Sequence, residues 1–131
     1  FWLALLERRL PGLAPPEGAF VLLGTANLDP EDGEGRRDAV RALLSHPLLQ
    51  DLSPRSSVTP PPDPGQKGDA ALDTAVFAQT GGLRVELLLP TAGVTVLSSG
   101  VMRAPQGTPE AARLSAASRH FPVWAIIDPA G

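Results

Sequence analysis

Apolar positions come in several short groups along the chain, and their spacing predicts a mixed α/β architecture. Leu3, Leu6 and Leu10 fall on one helical face over Trp2–Leu10, and Pro11-Gly12 ends that helix. Ala19–Leu23 is a continuous apolar run closed by Gly24. A run so short and so apolar reads as a strand buried on both faces, the pattern of a parallel sheet. Thr25–Pro30 is then a polar loop at a strand's C-terminal end, where open α/β sheets bind ligands. Ala39, Val40, Leu43 and Leu44 share a face over Arg36–Ser45, which predicts a second helix.

Leu83–Leu89 and Gly93–Val101 follow as strands, with Pro90-Thr91-Ala92-Gly93 as the hairpin turn between them. Thr108-Pro109-Glu110 starts a helix reaching Ala117. It has an N-cap hydroxyl, a proline at the first helical position and an early acid. Phe121–Ile127 is a final apolar strand with Pro122 near its start. Residues 53–69 hold the Pro60-Pro61-Pro62 tract and read as a long, flexible surface loop.

Composition narrows this picture. The 131 residues fit one domain or part of one, and 43% hydrophobic residues suffice for a core that aliphatic side chains must build, since aromatics are only 5%. A beginning at Phe1 without Met suggests a segment of a longer protein. With 15 Pro and 13 Gly much of the chain should be loop. The net charge of −3 supplies no basic field for non-specific nucleic-acid binding. Zero cysteines exclude disulfides and thiolate metal sites. The longest apolar run falls far short of the roughly 18 residues of a membrane span. None of this fixes a cellular compartment.

Three segments carry chemistry. They are Gly24-Thr25-Ala26-Asn27 after a strand, Leu83-Arg84-Val85-Glu86-Leu87-Leu88-Leu89, and Ser118-Arg119-His120-Phe121-Pro122-Val123. In order and spacing they resemble the Gly-Asp-x-Asn, Arg-Ile-Asp-Tyr and Ser-Asp-His-x-Pro-Val motifs of the endonuclease/exonuclease/phosphatase superfamily, and the wider text resembles an uncharacterised bacterial branch of it. The resemblance spans nearly all of 1–131 and implies the C-terminal half of one DNase-like domain. That is half of a four-layer α/β sandwich, a sheet with helices on its outer face. It also implies divalent-metal-dependent phosphoester hydrolysis with Mg2+ or Mn2+, whose ligands would lie mainly in an N-terminal half.

By position in those motifs, Asn27 would hold a phosphoryl oxygen. His120, oriented and kept cationic by a carboxylate, would bind the phosphate in the transition state. Thr25 and Arg119 stand where the family has aspartates. A Thr hydroxyl can bond a water but is no general base at neutral pH, whereas Arg119 could contact phosphate. Glu86 keeps a carboxylate at the third aspartate position and Leu87 replaces the usual aromatic. Asp73, with Thr74, lies where relatives frame the active-site wall and is a further substrate-binding candidate. If Thr25 stands in for a missing base, Thr25→Asp should raise hydrolysis by about an order of magnitude or more.

Set against these roles are blander ones. Asn27 could close an Asx-turn, and His120 could bond a neighbouring carbonyl. His46 sits at a helix end. The Asp29, Glu31, Asp32 and Glu34 cluster reads as a solvated helix-entry loop. Arg36 and Arg37 read as a solvated face. The substrate stays open among nucleic acid, a phospholipid head group and an inositol phosphate. Two further readings are an inactive pseudoenzyme or interaction domain keeping the fold, and a small α/β interaction module with coincidental motifs. A half-domain of this kind would expose an apolar sheet face, so association with an N-terminal half or self-association is expected.

Overall fold

The computed structural model describes residues 1–128. The described residues are mixed α/β, with three small antiparallel two-stranded sheets and three short helices among them. Helix α1 (Trp2–Leu6) is shorter than the pattern predicts. Arg8 takes a left-handed φ of 56°, and the amides of Arg8 and Arg9 close back on the carbonyls of Leu5 and Ala4. That pair of bonds is a Schellman stop, and it ends the helix before Leu10 can extend the apolar face.

Strand β1 (Val21–Thr25) runs antiparallel to β4 (Glu86–Pro90), with Leu22 opposite Leu89, Leu23 opposite Leu88 and Thr25 opposite Glu86. This corrects two expectations: the pair is not parallel, and β1 is not buried on both faces. Leu22 is 5% exposed and Leu23 is 63% exposed. The buried side of the ladder, Leu22, Leu87 and Leu89, packs with Leu6 of α1 and with Val40 and Leu43 of α2 (Arg37–Leu44). The opposite side carries Leu23, Leu88, Thr25 and Glu86, because residues two apart on a strand share a face.

The stretch expected to run as one strand from Leu83 to Leu89 is broken. Its first part belongs to β3 (Gly81–Leu83), which pairs with β2 (Ala75–Phe77) in a hairpin absent from the hydrophobic pattern. The break comes from Thr74, which is fully buried. Its amide donates to the Leu83 carbonyl at 2.8 Å, and its Oγ1 accepts from the amides of Val85 at 2.8 Å and Glu86 at 3.0 Å. A side chain therefore takes the place of a ladder at the bend.

Pro90–Gly93 does not connect paired strands either. The Thr91 amide bonds Phe20 and the Ala92 amide bonds Leu48, so the chain leaves β4 sideways. β5 (Thr95–Val101) pairs instead with β6 (Val123–Asp128), across a bulge at Leu97. Gly100 faces Trp124 so closely that a Cβ there would come within 2.8 Å of the indole. Helix α3 (Pro109–Ala117) matches its sequence signals, with Thr108 Oγ1 accepting from the Ala111 amide at 3.2 Å.

Residues 53–69 form no helix or strand but are tied down along their length. Arg55 pairs with Asp69, the Ser56 amide bonds Ala71, Asp63 accepts from the Gly82 amide, and Asp32 accepts from the amides of Lys67 and Gly68. A single 3₁₀ turn at Ala70–Leu72 follows, capped by Asp69. Asp29 is also structural, contrary to the solvated reading. It is 6% exposed and its carboxylate accepts from the amides of Glu31, Asp32 and Arg84.

Candidate functional site

The β1–β4 register sets Thr25 and Glu86 side by side on the exposed face of the ladder. Thr25 Oγ1 donates to Glu86 Oε2 at 2.7 Å. The other carboxylate oxygen, Oε1, lies 2.5 Å from His120 Nδ1. His120 reaches this position because the chain is pinned on both sides of it. Its amide bonds Ser118 Oγ at 2.9 Å, its backbone bridges to Ala75, and the next amide, of Phe121, donates to the Thr74 carbonyl at 2.6 Å. Phe77 stands edge-on to the imidazole, with centroids 5.9 Å apart. Thr74 thus organises both partners: its hydroxyl holds the Glu86 amide and its carbonyl holds the residue after His120.

Asn27 follows β1 on a turn in which its own φ is 51°, a left-handed conformation that Asn adopts more readily than most residues. Among the described residues its carboxamide has no hydrogen-bond partner. It lines the same cavity as Thr25, Glu86, Ser118 and His120, a cleft of about 650 Å³ whose remaining wall includes Leu23, Leu88 and Val123. The chain therefore brings together Asn27, His120 and Thr25. An Asn amide and an imidazole at one opening can both donate to an anion, and Glu86 orients the second of them.

Asp73 and Arg119 do not join them. The Arg119 side chain is exposed and does not line the cleft, while its carbonyl accepts from the Val76 amide. Asp73, 4% exposed, lies in a second cleft with Asp29, Asp51 and Arg84. Its carboxylate accepts from Gln66 Nε2 at 2.9 and 3.1 Å. Burial pushes its carboxyl up to about 6, against the opposing effects of Gln66 and of Arg103. In the same cleft Arg84 pairs bidentately with Asp51. Burial alone would raise the Asp51 carboxyl, but the Arg84 and Ser53 contacts outweigh it and hold it below the ordinary carboxylate range.

Glu86 is the residue whose role the motif comparison understates. A lone Glu in an apolar strand reads as a polar-face position, and only the antiparallel register shows that it faces Thr25. A divalent cation does not fit these side chains. Both Glu86 oxygens are engaged, and among the described residues no group of three His, Cys, Asp or Glu side chains is arranged to hold a metal. No helix among them is long and apolar enough to cross a membrane. Comparison of the chain with protein-family models, with curated proteins and with solved structures finds no match.

Proposed function

We propose that this chain supplies the phosphate-holding part of a divalent-metal-dependent phosphoester hydrolase of the endonuclease/exonuclease/phosphatase type. The observation that supports this reading best is that Asn27 and His120 line one cleft, with the Glu86 carboxylate on Nδ1 of the imidazole. In this reading the Asn27 amide and His120 Nε2 donate to the non-bridging oxygens of a phosphoester, neutralising charge that grows as the ester breaks. Glu86 keeps the ring turned so that Nε2, not Nδ1, faces the substrate. Mg2+ or Mn2+ would be held mainly by ligands in an N-terminal half.

The same proposal extends to architecture and partner. Helices α1 and α2 cover one side of the β1–β4 ladder, and Leu23 stands exposed on the other. That asymmetry fits half of a four-layer sandwich whose open side takes a second sheet, from an N-terminal half of the same protein or from another copy. An inactive domain that binds phosphoesters without turning them over is the second reading. It draws on one observation: residue 25 offers a hydroxyl already committed to Glu86, not a base for water.

A single experiment addresses both readings. The intact protein is assayed with an aryl phosphodiester in the presence of Mg2+ or Mn2+, while binding of inorganic phosphate is followed at the His120 ring by NMR. Turnover lost in both Asn27→Ala and His120→Gln supports the hydrolase. Phosphate binding without turnover supports the binding domain. Neither signal in the presence of metal removes the proposal.

A further inference from the structure

Thr25 occupies the place where a sequence reading expects a water-activating group, yet its geometry fits another task. The hydroxyl has one proton, and Glu86 Oε2 takes it at 2.7 Å. A β-branched side chain in a strand has few rotamers open to it, so the hydroxyl is aimed by the backbone of β1. Glu86 in contrast has a long stem, and its carboxylate would turn freely if His120 were its one contact. Held at both oxygens, the carboxylate has a fixed plane, and so does the ring that shares Oε1.

We propose that Thr25 is a positioning residue for His120: through Glu86 it fixes Nδ1 as the carboxylate-bound nitrogen and leaves Nε2, which carries a proton when the ring is cationic, as the one offered to a phosphoryl oxygen. The inference rests on the reading of Asn27 and His120 as an anion site, and it runs against one expectation. Thr25→Asp would set a second carboxylate against Glu86 with no proton between them. Two carboxylates at that range do not both ionise, so one takes a proton or Glu86 swings away. Protonation or displacement of Glu86 loosens His120, and a protonated side chain at residue 25 donates to Glu86 as the Thr25 hydroxyl does and is no base. In neither case does the substitution add a base that strengthens the site, where the sequence motifs lead one to expect restored activity.

The test is imidazole NMR on the full chain, with inorganic phosphate as the probe. The chain has two histidines, so His46→Gln identifies the His120 signals. At a pH where the ring is neutral, the parent protein and Thr25→Ser should show the Nδ1–H tautomer; at a pH where the ring is protonated, so that Nε2 has a proton to donate, they should bind phosphate equally well. Thr25→Val, nearly isosteric and favourable in a strand, should shift the neutral ring toward Nε2–H. With the ring protonated it should weaken phosphate binding roughly five- to tenfold, the scale of one lost hydrogen bond, because the imidazolium is no longer held in place. Glu86→Gln should do the same, and Thr25→Asp should strengthen neither binding nor turnover.

A Thr25→Val protein with unchanged tautomer and unchanged binding overturns the assignment, as does a gain of binding or turnover in Thr25→Asp. If phosphate leaves the parent His120 unperturbed while its tautomer still depends on residue 25, the positioning role stands and the anion site falls. If phosphate binds and the tautomer ignores residue 25, the reverse holds.

Discussion

The Glu86 amide donates to the hydroxyl of Thr74 at 3.0 Å, and the same oxygen takes the Val85 amide at 2.8 Å. Thr74 is fully buried, so no water can replace that acceptor. Thr74→Val keeps the shape and strands two amides. Each buried, unsatisfied donor costs about 1–3 kcal/mol, which puts the loss at roughly 2–6 kcal/mol in urea unfolding. Thr74→Ser should recover most of it. A Thr74→Val protein as stable as the parent would mean that the bend at Arg84–Val85 is held by something else.

Arg84 and Asp51 set a second expectation. The Arg84 side chain is 8% exposed and its charge is answered by Asp51. Asp51→Ala leaves the guanidinium buried and unpaired, at a cost of about 3–5 kcal/mol, whereas Asp51→Leu with Arg84→Met removes both charges and should cost far less. Because the folded Asp51 carboxyl lies below its ordinary 3.8, its contribution is present above that pH and is lost as pH falls through the folded value. Urea titrations of the parent and Asp51→Asn across the acid range should differ by that limb.

Asp73 has the opposite sign. Its carboxyl is raised from 3.8 to about 6 by burial, with Arg103 near it and Asp29 and Asp32 adding repulsion. The protonated form is thus favoured in the folded protein. Its contribution is complete below about 3.8 and is lost as pH rises through about 6, by an amount on the order of 3 kcal/mol. Asp73→Asn, which keeps an acceptor for Gln66, should abolish that slope and be the more stable protein at pH 7. Equal pH dependence in the two proteins would exclude Asp73 as its source.

Asn27 separates backbone from side chain. Its φ of 51° suits Gly, so Asn27→Gly should fold with stability within about 0.5 kcal/mol of the parent and lose phosphate binding. Asn27→Val has the wrong backbone preference and should lose about 1–2 kcal/mol as well. Thermal melts beside phosphate titrations distinguish the two effects. Undiminished binding in Asn27→Gly would show that the carboxamide is not a ligand.

Local signals in the sequence translated well. The Thr108-Pro109 start of α3, the apolar face of α2 and the final strand after Pro122 stand within one or two residues of where spacing puts them. Partnerships did not translate. Nothing in Ala19–Leu23 tells an antiparallel partner from a parallel one, and that partner lies some sixty residues away. Thr74 follows Asp73 in an otherwise apolar stretch, and its bonds to four backbone partners appear only when Leu83, Val85, Glu86 and Phe121 surround it. The motifs set Asn27 after one strand and His120 before another, and both line one cleft. That Asp73 lies in a different cleft was not legible, because the loop that carries Gln66 covers it, and loops of such composition leave no periodic trace.

The separation of the strands into three ladders shapes how the molecule opens. Each ladder keeps its own main-chain bonds, and much of what spans them is a side chain or a single bridge. Unzipping β5 from β6 breaks no rung between β1 and β4. Amide exchange should therefore sort into tiers: slowest for Leu22 and Leu89 over the aliphatic core, faster for the β5–β6 rungs, whose outward residues include Leu97 and Ile126. The cleft lies where these tiers meet, so a bound anion would act as a rivet between parts that otherwise breathe independently.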